Sequence, residues 1–305
     1  MGDPSSRRNA EVGYGADVLG VSDSAFALLR DLIEGRLGVF FADDKRDQLV
    51  AKVSDLISAR GMTSYLDYYY LLRYDADADR HWTELADRLS VPETFFWRQA
   101  DQILACARII APAHFARRPA TPLRIWSAAC CTGEEPLSIA IALAEAGLLF
   151  SRPIEIVASD ASPAMIARAQ RGLYGDRAFR SLPTELRDKY FTKEGSAWRV
   201  EPHVHRKVRY TVANLVEAAE VRPLAAADVI FCRNVFIYFS DPTIAKVARV
   251  FADEIASDGY LFLAAAESLT RLATDFTLDE IGSAFVYVKG NYAASSGARI
   301  SSPGS

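Results

Sequence analysis

Two adjacent carboxylates, Glu134 and Glu135, directly follow a predicted tight turn. The turn lies within Ser127–Pro136, where an apolar run ends in small residues and Gly133 before a helical pattern begins. In doubly wound α/β folds, the first turn from strand to helix binds a nucleotide-like cofactor. No lysine stands where a phosphate-binding loop needs one, and carboxylates repel phosphates. The acids suit the ammonium and sulfonium groups of S-adenosylmethionine, although acids at a helix start also interact favourably with the helix dipole without a ligand.

Further polar residues follow the next predicted strands. Asp160 ends the second strand, 27 residues after Gly133, where a carboxylate can accept both hydroxyls of a ribose. The alternative is an N-cap for the helix that Ser162 begins. Asn214 can hydrogen-bond an adenine edge and Leu215 can pack on its ring, whereas a turn-forming asparagine is the alternative. Alanines replace the glycines of a dinucleotide-binding turn, which weighs against NAD and FAD and permits a smaller adenosyl cofactor.

Two basic positions complete the candidate site. Arg233 and Asn234 interrupt the otherwise apolar string Phe231–Phe239 at a predicted strand end, which is where α/β sites are built. Arg98 follows three consecutive aromatic residues, and its guanidinium could hold a substrate carboxylate through two hydrogen bonds. The alternatives are a capped strand end beside an aromatic core for the first pair and a domain-interface salt bridge for Arg98.

The elements that must position these residues fall into two parts. Apolar residues at helical spacing predict four helices before residue 90, beginning at Ser22 and Asp23, with Gly38 placed to end the first. After Leu123, strands and helices alternate, which predicts an α/β fold with a mostly parallel sheet. The expected organisation is a disordered leader (1–21), a helical domain (22–91), a linker and helix (92–122), a cofactor-binding α/β domain (123–290) with a small β insertion at about 188–212, and a disordered tail (291–305).

Composition excludes several other classes of function. The net charge is −4 and the sequence pI is about 5.7, so nucleic acid is not an expected partner. The sequence has no run of about 18 apolar residues, so no membrane insertion is expected. Four cysteines show neither CxxC pairing nor metal-ligand spacing, so we expect a reduced, cytoplasmic chain without a metal site.

These motifs together resemble the chemotaxis receptor methyltransferase (CheR) family over nearly the whole chain, from about Ser22 to Lys289. The segments that carry the resemblance are Trp126–Pro136, Ala158–Asp160, Phe231–Phe239 and, in the helical part, Ala42–Arg46. The resemblance implies a Rossmann-like class I methyltransferase domain, an N-terminal all-α domain and a small antiparallel β insertion.

The resemblance also implies an activity: methyl transfer from S-adenosylmethionine to glutamate side chains on chemoreceptor cytoplasmic helices, with S-adenosylhomocysteine as product. It implies Arg98 and Tyr238 as the residues of the transfer site. The residues implied in cofactor binding are Thr94, Arg98, Glu135, Asp160, Asn214, Leu215, Arg233 and Asn234. A regulatory protein that only binds the cofactor, or a methyltransferase for another substrate, are the alternative functions.

The sequence departs from the family pattern at three positions, since Pro92 replaces an asparagine, Trp97 a phenylalanine and Gln99 an acid. The insertion is also short, with only Lys193–Ser196 where members that bind a receptor's C-terminal peptide have a longer loop. We therefore expect an enzyme that works without this tether, and we expect a monomer.

Basic residues on or near the second helix are a further candidate, for docking on the acidic receptor helices. A solvated surface is the alternative explanation for their spacing. The residues are Lys45, Arg46, Lys52 and Arg60.

Overall fold

A computed structural model of the chain describes residues 21–90, 93–272 and 274–290. The expected leader (apart from Val21), the expected tail and the departure at Pro92 lie outside these residues. The described N-terminal part folds into α1 (Asp23–Leu37), α2 (Arg46–Ser58), α3 (Tyr65–Tyr74) and α4 (Ala78–Leu89). Ser22 caps α1 by accepting a hydrogen bond from Ala25 N at 3.2 Å, and Gly38 ends it at φ 77°. Buried side chains such as Leu29, Val53 and Leu85 form one core between these helices.

A seven-stranded sheet forms the centre of the second part. Its strands are β1 (Leu123–Ala128), β2 (Ile154–Asp160), β6 (Val208–Val212), β7 (Val229–Cys232), β8 (Tyr260–Phe262), β9 (Phe276–Ile281) and β10 (Ala284–Lys289), in the order β6-β2-β1-β7-β8-β10-β9. The first five strands in that order are parallel to one another. β10 pairs antiparallel with both of its neighbours, β8 and β9. The chain leaves β1 toward β2 on one side and later returns to β7 on the other. The carboxyl ends of β1 and β7 therefore flank a topological switch point, where ligands bind in open α/β sheets.

Helices cover both faces of this sheet. One face packs against α5 (Ala100–Ala105), α6 (Ala111–Arg117), α7 (Glu134–Glu145) and α8 (Pro163–Arg171), and a π-helical turn at Cys106–Ile110 joins α5 to α6. The other face packs against α11 (Ala218–Ala225) and α12 (Asp241–Glu254). Among the described helices none is long and apolar enough to cross a membrane.

The small β insertion covers a different range of residues from the one expected. Its antiparallel sheet has the order β3-β5-β4, formed by β3 (Leu173–Tyr174), β4 (Phe191–Glu194) and β5 (Ala197–Val200), with the short helices α9 (Thr184–Tyr190) and α10 (Pro202–His205) beside it. The expected range of about 188–212 was wrong at both ends. The small sheet begins at Leu173, and β6 pairs in parallel with β2 in the main sheet. β6 is an edge strand, and most of its side chains are partly or fully exposed. Its sequence therefore lacks the continuous apolar run of a buried parallel strand and is similar to that of a strand in a small antiparallel sheet.

Candidate functional site

The turn after β1 is built from left-handed backbone. Ala129 has φ 57°, Cys131 φ 51° and Gly133 φ 95°, and together they turn the chain from β1 into α7. A Cβ on Gly133 would lie 3.0 Å from the Ala169 Cβ, so the position needs glycine both for its backbone and for space. Burial, together with Asp160, raises the pKa of the Cys131 thiol to about 12, so this thiol stays protonated at neutral pH.

Asp160 ties this turn to the end of β2. Its Oδ2 accepts a hydrogen bond from Cys131 N at 2.9 Å, and its Oδ1 accepts one from Ser162 N at 2.9 Å. The N-cap of α8 is Ser162, whose Oγ accepts from Met165 N at 3.1 Å, so capping does not account for the acid. Burial raises the pKa of Asp160, and the two backbone hydrogen bonds act in the opposite direction.

Glu135 and Arg233 form a part-buried ion pair in the wall of the site. Glu135 Oε2 lies 2.6 Å from Arg233 Nε, and Glu135 Oε1 accepts a hydrogen bond from Ser127 Oγ at 2.6 Å. Arg233 Nη1 also donates to Gln102 Oε1 at 3.1 Å and to the Arg98 carbonyl at 2.9 Å. Arg233 thereby holds the backbone of the Arg98 segment. Each carboxylate oxygen of Glu135 has a second lone pair, so the group can still accept from a ligand.

Arg98 and Tyr238 both belong to the wall of the site. Arg98 stands between two residues with left-handed backbone, Trp97 at φ 67° and Gln99 at φ 50°. Its Nη1 donates to the Glu93 carbonyl at 2.6 Å, and its guanidinium carbon lies 5.5 Å from the centre of the Phe95 ring. Tyr238 lines the same cavity as Arg98. Burial raises the pKa of Tyr238, and the positive charge of Arg98 acts in the opposite direction.

Glu267 supports the wall of the site from behind and was not among the residues predicted from the sequence. Its two carboxylate oxygens accept hydrogen bonds from four backbone N–H groups, those of Asn234 (2.9 Å), Phe236 (2.8 Å), Ile237 (3.3 Å) and Ala264 (2.8 Å). The first three belong to the segment between Arg233 and Tyr238, which includes Asn234 at φ 60°. The available signal was an acid directly after the apolar run that begins with β8.

Asn214 supports its alternative explanation, that of a turn-forming residue. Its Oδ1 accepts from Val216 N at 3.3 Å, and its Nδ2 donates to the Arg36 carbonyl at 2.7 Å. The side chain thereby joins the end of α1 to the segment after β6. Leu215 beside it is 6% exposed.

One cavity brings the predicted residues together. It is lined by all of Thr94, Arg98, Glu135, Asp160, Asn214, Leu215, Arg233, Asn234 and Tyr238. The helical domain closes it with Leu37, Val39, Ala86 and Leu89. Contacts between the two parts hold this closure, among them Ser162 Oγ donating to Asp87 and Ser240 Oγ donating to Glu34. The cavity therefore combines carboxylates, one buried guanidinium and apolar walls. That set fits a small adenosyl cofactor with a positively charged tail.

The basic residues of α2 contribute less than expected. Arg46 contacts Asp23 and the Val21 carbonyl, and Arg60 contacts Glu84. Lys52 Nζ lies 3.4 Å from the carbonyls of Arg88 and Leu89. Within the described residues, only Lys45 of this group has neither an ion pair nor a side-chain hydrogen bond in the structure. These contacts favour a largely structural role for the set.

The parallel sheet, the cavity at its switch point and the acids around it define a Rossmann-like methyltransferase. Residues 24–90 match the model of the CheR methyltransferase all-alpha domain, and residues 92–284 match that of the CheR methyltransferase SAM binding domain. The chain belongs to the CheR methyltransferase family, and its cofactor is S-adenosylmethionine.

Named relatives agree with this assignment. "Chemotaxis protein methyltransferase 2" of Vibrio cholerae is 31% identical over 88% of this chain and 94% of its own length. "Chemotaxis protein methyltransferase" of Escherichia coli is 32% identical over 85% of this chain and 90% of its own. "Probable biofilm formation methyltransferase WspC" of Pseudomonas aeruginosa is 35% identical, over 63% of this chain and 48% of its own.

Proposed function

We propose that this protein is a protein-glutamate O-methyltransferase that acts on the cytoplasmic helices of chemoreceptors. The observation that supports this most directly is that Arg98 and Tyr238 both line the wall of the cofactor cavity. A guanidinium and a phenol can orient a carboxylate, which is the chemical group of a glutamate acceptor. The chemotaxis methyltransferases among the relatives point to the same class of substrate.

Different residues of the cavity would contact different parts of the cofactor. Asp160 would accept the ribose hydroxyls, Leu215 would pack on the adenine, and Glu135 would accept from the amino-acid end. Thr94, Arg233 and Asn234 would line the same pocket, and Asn214 would position Leu215 through its turn. When bound, S-adenosylmethionine supplies a methyl group on a positively charged sulfur, and the product is S-adenosylhomocysteine.

The acceptor carboxylate needs no strong general base, because a glutamate is already ionised at neutral pH. Arg98 would hold it and Tyr238 would orient it through its hydroxyl, so that the attacking oxygen lies in line with the bond that breaks. Apolar side chains of α4 and of the end of α1 line one side of the cavity and would reduce the access of water to the reacting groups. That favours a reaction in which opposite charges neutralise each other.

Incubation with radiolabelled cofactor and receptor cytoplasmic fragments tests this function. We expect label on the fragment that mild base releases as methanol, because a carboxyl methyl ester is base-labile. A fragment whose acceptor glutamates are replaced by alanine is the matched control. Absence of base-labile label on every receptor fragment would overturn the proposal in favour of another substrate or of a cofactor-binding regulator.

We also propose that the enzyme is a cytoplasmic monomer that needs no receptor tether. The connection between β4 and β5 consists of Gly195 and Ser196 alone, because Glu194 pairs with Ala197. Such a short turn offers little surface for a peptide. Tight binding of a receptor C-terminal pentapeptide in a calorimetric titration would contradict tether independence, and sedimentation analysis tests the monomer.

A further inference from the structure

An arginine-lined groove lies next to the cofactor cavity. We call it the arginine groove, and its cations are Arg168, Arg171, Arg177 and Arg180. The first two lie on α8, and the others lie on and after the 3₁₀ turn Asp176–Phe179 of the insertion. All four are exposed. Two separate elements therefore present positive charge toward the same space.

Within the described part of the chain, most of this charge is not neutralised by ion pairs. Across residues 93–272, Arg168, Arg171 and Arg177 have no carboxylate within ion-pair distance. Arg180 pairs with Glu93 at 2.7 Å and lies 3.6 Å above the Phe95 ring. The groove also contains Glu134, but this acid is 4% exposed and accepts a hydrogen bond from Thr132 Oγ1 at 2.7 Å.

The arginine groove continues into the candidate transfer site. Glu93 and Thr94 line both the groove and the cofactor cavity. The Glu93 carbonyl accepts from Arg98, and its carboxylate pairs with Arg180. A substrate helix with its acceptor side chain beside Arg98 would therefore place neighbouring residues close to the arginine groove.

We infer that the arginine groove binds the carboxylates of acidic residues that flank the methylated glutamate in the acceptor helix. The inference rests on the proposed function and specifies how the same site selects its substrate. Successive turns of a helix repeat every 5.4 Å, so acids one or two turns from the acceptor lie on the same face. Guanidinium groups suit such carboxylates because of their planar pair of donors.

Neither of two simpler explanations covers the arginine groove. Arginines in the last turn of a helix interact favourably with its dipole, which could explain Arg168 and Arg171 on α8. It does not explain Arg177 and Arg180 on the facing wall. The basic residues of α2 were the other candidate for reading acidic helices, but three of those four are engaged within the protein.

The test compares methylation of a receptor fragment by wild type and by the double variant Arg171→Ala/Arg177→Ala. Arg249→Ala is the matched control, because Arg249 is exposed on α12 and lines neither the cavity nor the groove. Loss of an exposed ion pair costs about two- to fivefold, so we expect KM for the fragment to rise about tenfold in the double variant. kcat and the Kd for S-adenosylmethionine should stay within about twofold of wild type. Equal KM values in the double variant and the control would overturn the inference.

A second substrate identifies the group that is bound. In this fragment the flanking acids are replaced by glutamine and the acceptor glutamate is kept. Wild type should then have the high KM of the double variant, and the arginine substitutions should cost nothing more. An undiminished tenfold effect on this fragment would contradict carboxylate binding. If wild type methylates no receptor fragment, the proposed function fails and the inference with it. Methylation with equal KM values refutes the inference alone.

Discussion

Replacement of Glu267 should damage both the stability and the cofactor site of this protein. The side chain is 9% exposed, and its carboxylate is the acceptor for four backbone N–H groups. Three of these belong to Asn234–Ile237, directly before Tyr238. In Glu267→Ala these donors lose their partner, and the left-handed backbone of Asn234 loses the acceptor of its N–H group.

The cost follows from where the four donors lie. The N–H groups of Phe236 and Ala264 are buried, and each unpaired buried donor costs about 1–3 kcal/mol. Those of Asn234 and Ile237 are part-buried, so water can partly replace the carboxylate. We expect Glu267→Ala to lower the free energy of unfolding by about 4 kcal/mol. Glu267→Gln keeps one acceptor oxygen and should lose about 2 kcal/mol.

Urea denaturation measures the stability change, and calorimetric titration measures the Kd for S-adenosylmethionine. The Kd should rise at least tenfold in Glu267→Ala, because the segment before Tyr238 lines the cavity. Glu280→Ala, at an exposed position of β9, is the matched control and should change neither quantity. An alanine variant of Glu267 with wild-type midpoint and wild-type Kd would refute the reasoning.

Three further predictions concern the proposed transfer site, the proposed ribose site and the domain interface. Tyr238→Phe should lower kcat about ten- to a hundredfold, the worth of a hydrogen bond to a charged group, with little change in cofactor Kd; unchanged turnover would remove the hydroxyl from the mechanism. Burial raises the pKa of Asp160, so cofactor affinity should be full above that pKa and fall as pH drops through it, at higher pH than for an exposed aspartate. Asp160→Asn should bind the cofactor weakly and without this pH dependence. If the cofactor affinity of wild type stays constant as the pH falls to the ordinary pKa of an aspartate, the ribose role is contradicted. Gly38→Ala should destabilise by about 1–2 kcal/mol for the left-handed backbone at φ 77°, plus about 1–3 kcal/mol because its Cβ would lie 2.7 Å from Val216 Cγ1. Gly61→Ala, at φ 67° with open space around it, isolates the first contribution in thermal melts, and equal losses in the two variants would argue against the close contact between the domains.

The sequence predicts the elements that have a strong local signal. Ser22 and Gly38 mark the two ends of α1 because capping hydroxyls and left-handed glycines act within one turn of the chain. Asp160 could be placed at the end of β2 for a similar reason, since an apolar run that stops at an acid defines its own boundary. β9 has no such signal. It is an edge strand with mostly exposed side chains, and only its pairing with β10 defines it.

Side-chain partners far apart in sequence could not be predicted. Glu135 is a predicted cofactor-binding residue, but its ion pair with Arg233, 98 positions later, has no local sequence signal. For Asn214 the sequence leaves two explanations open, contact with adenine and a turn. Its side chain donates a hydrogen bond to the carbonyl of Arg36, 178 positions earlier, which no local pattern indicates. Glu267 likewise contacts a segment 30–33 positions before it. Each of these contacts depends on the assembled tertiary structure and leaves no local pattern.

Backbone strain connects these partners to the site. Of the described non-glycine residues, those with left-handed backbone are Trp97, Gln99, Ala129, Cys131 and Asn234. All five line the cavity or flank Arg98. Such a conformation costs about 1–2 kcal/mol per residue, so it persists only where other contacts fix it.

Long-range side chains provide those contacts in most cases. Ser138 Oγ accepts from Trp97 N at 3.0 Å, Asp160 accepts from Cys131 N, and Glu267 accepts from Asn234 N. Two of these three acceptors are acids that burial makes costly to ionise. The site is therefore shaped by buried acceptors that hold strained backbone in place. Substitutions of these acceptors should alter cofactor binding even where the acceptor itself does not contact the cofactor.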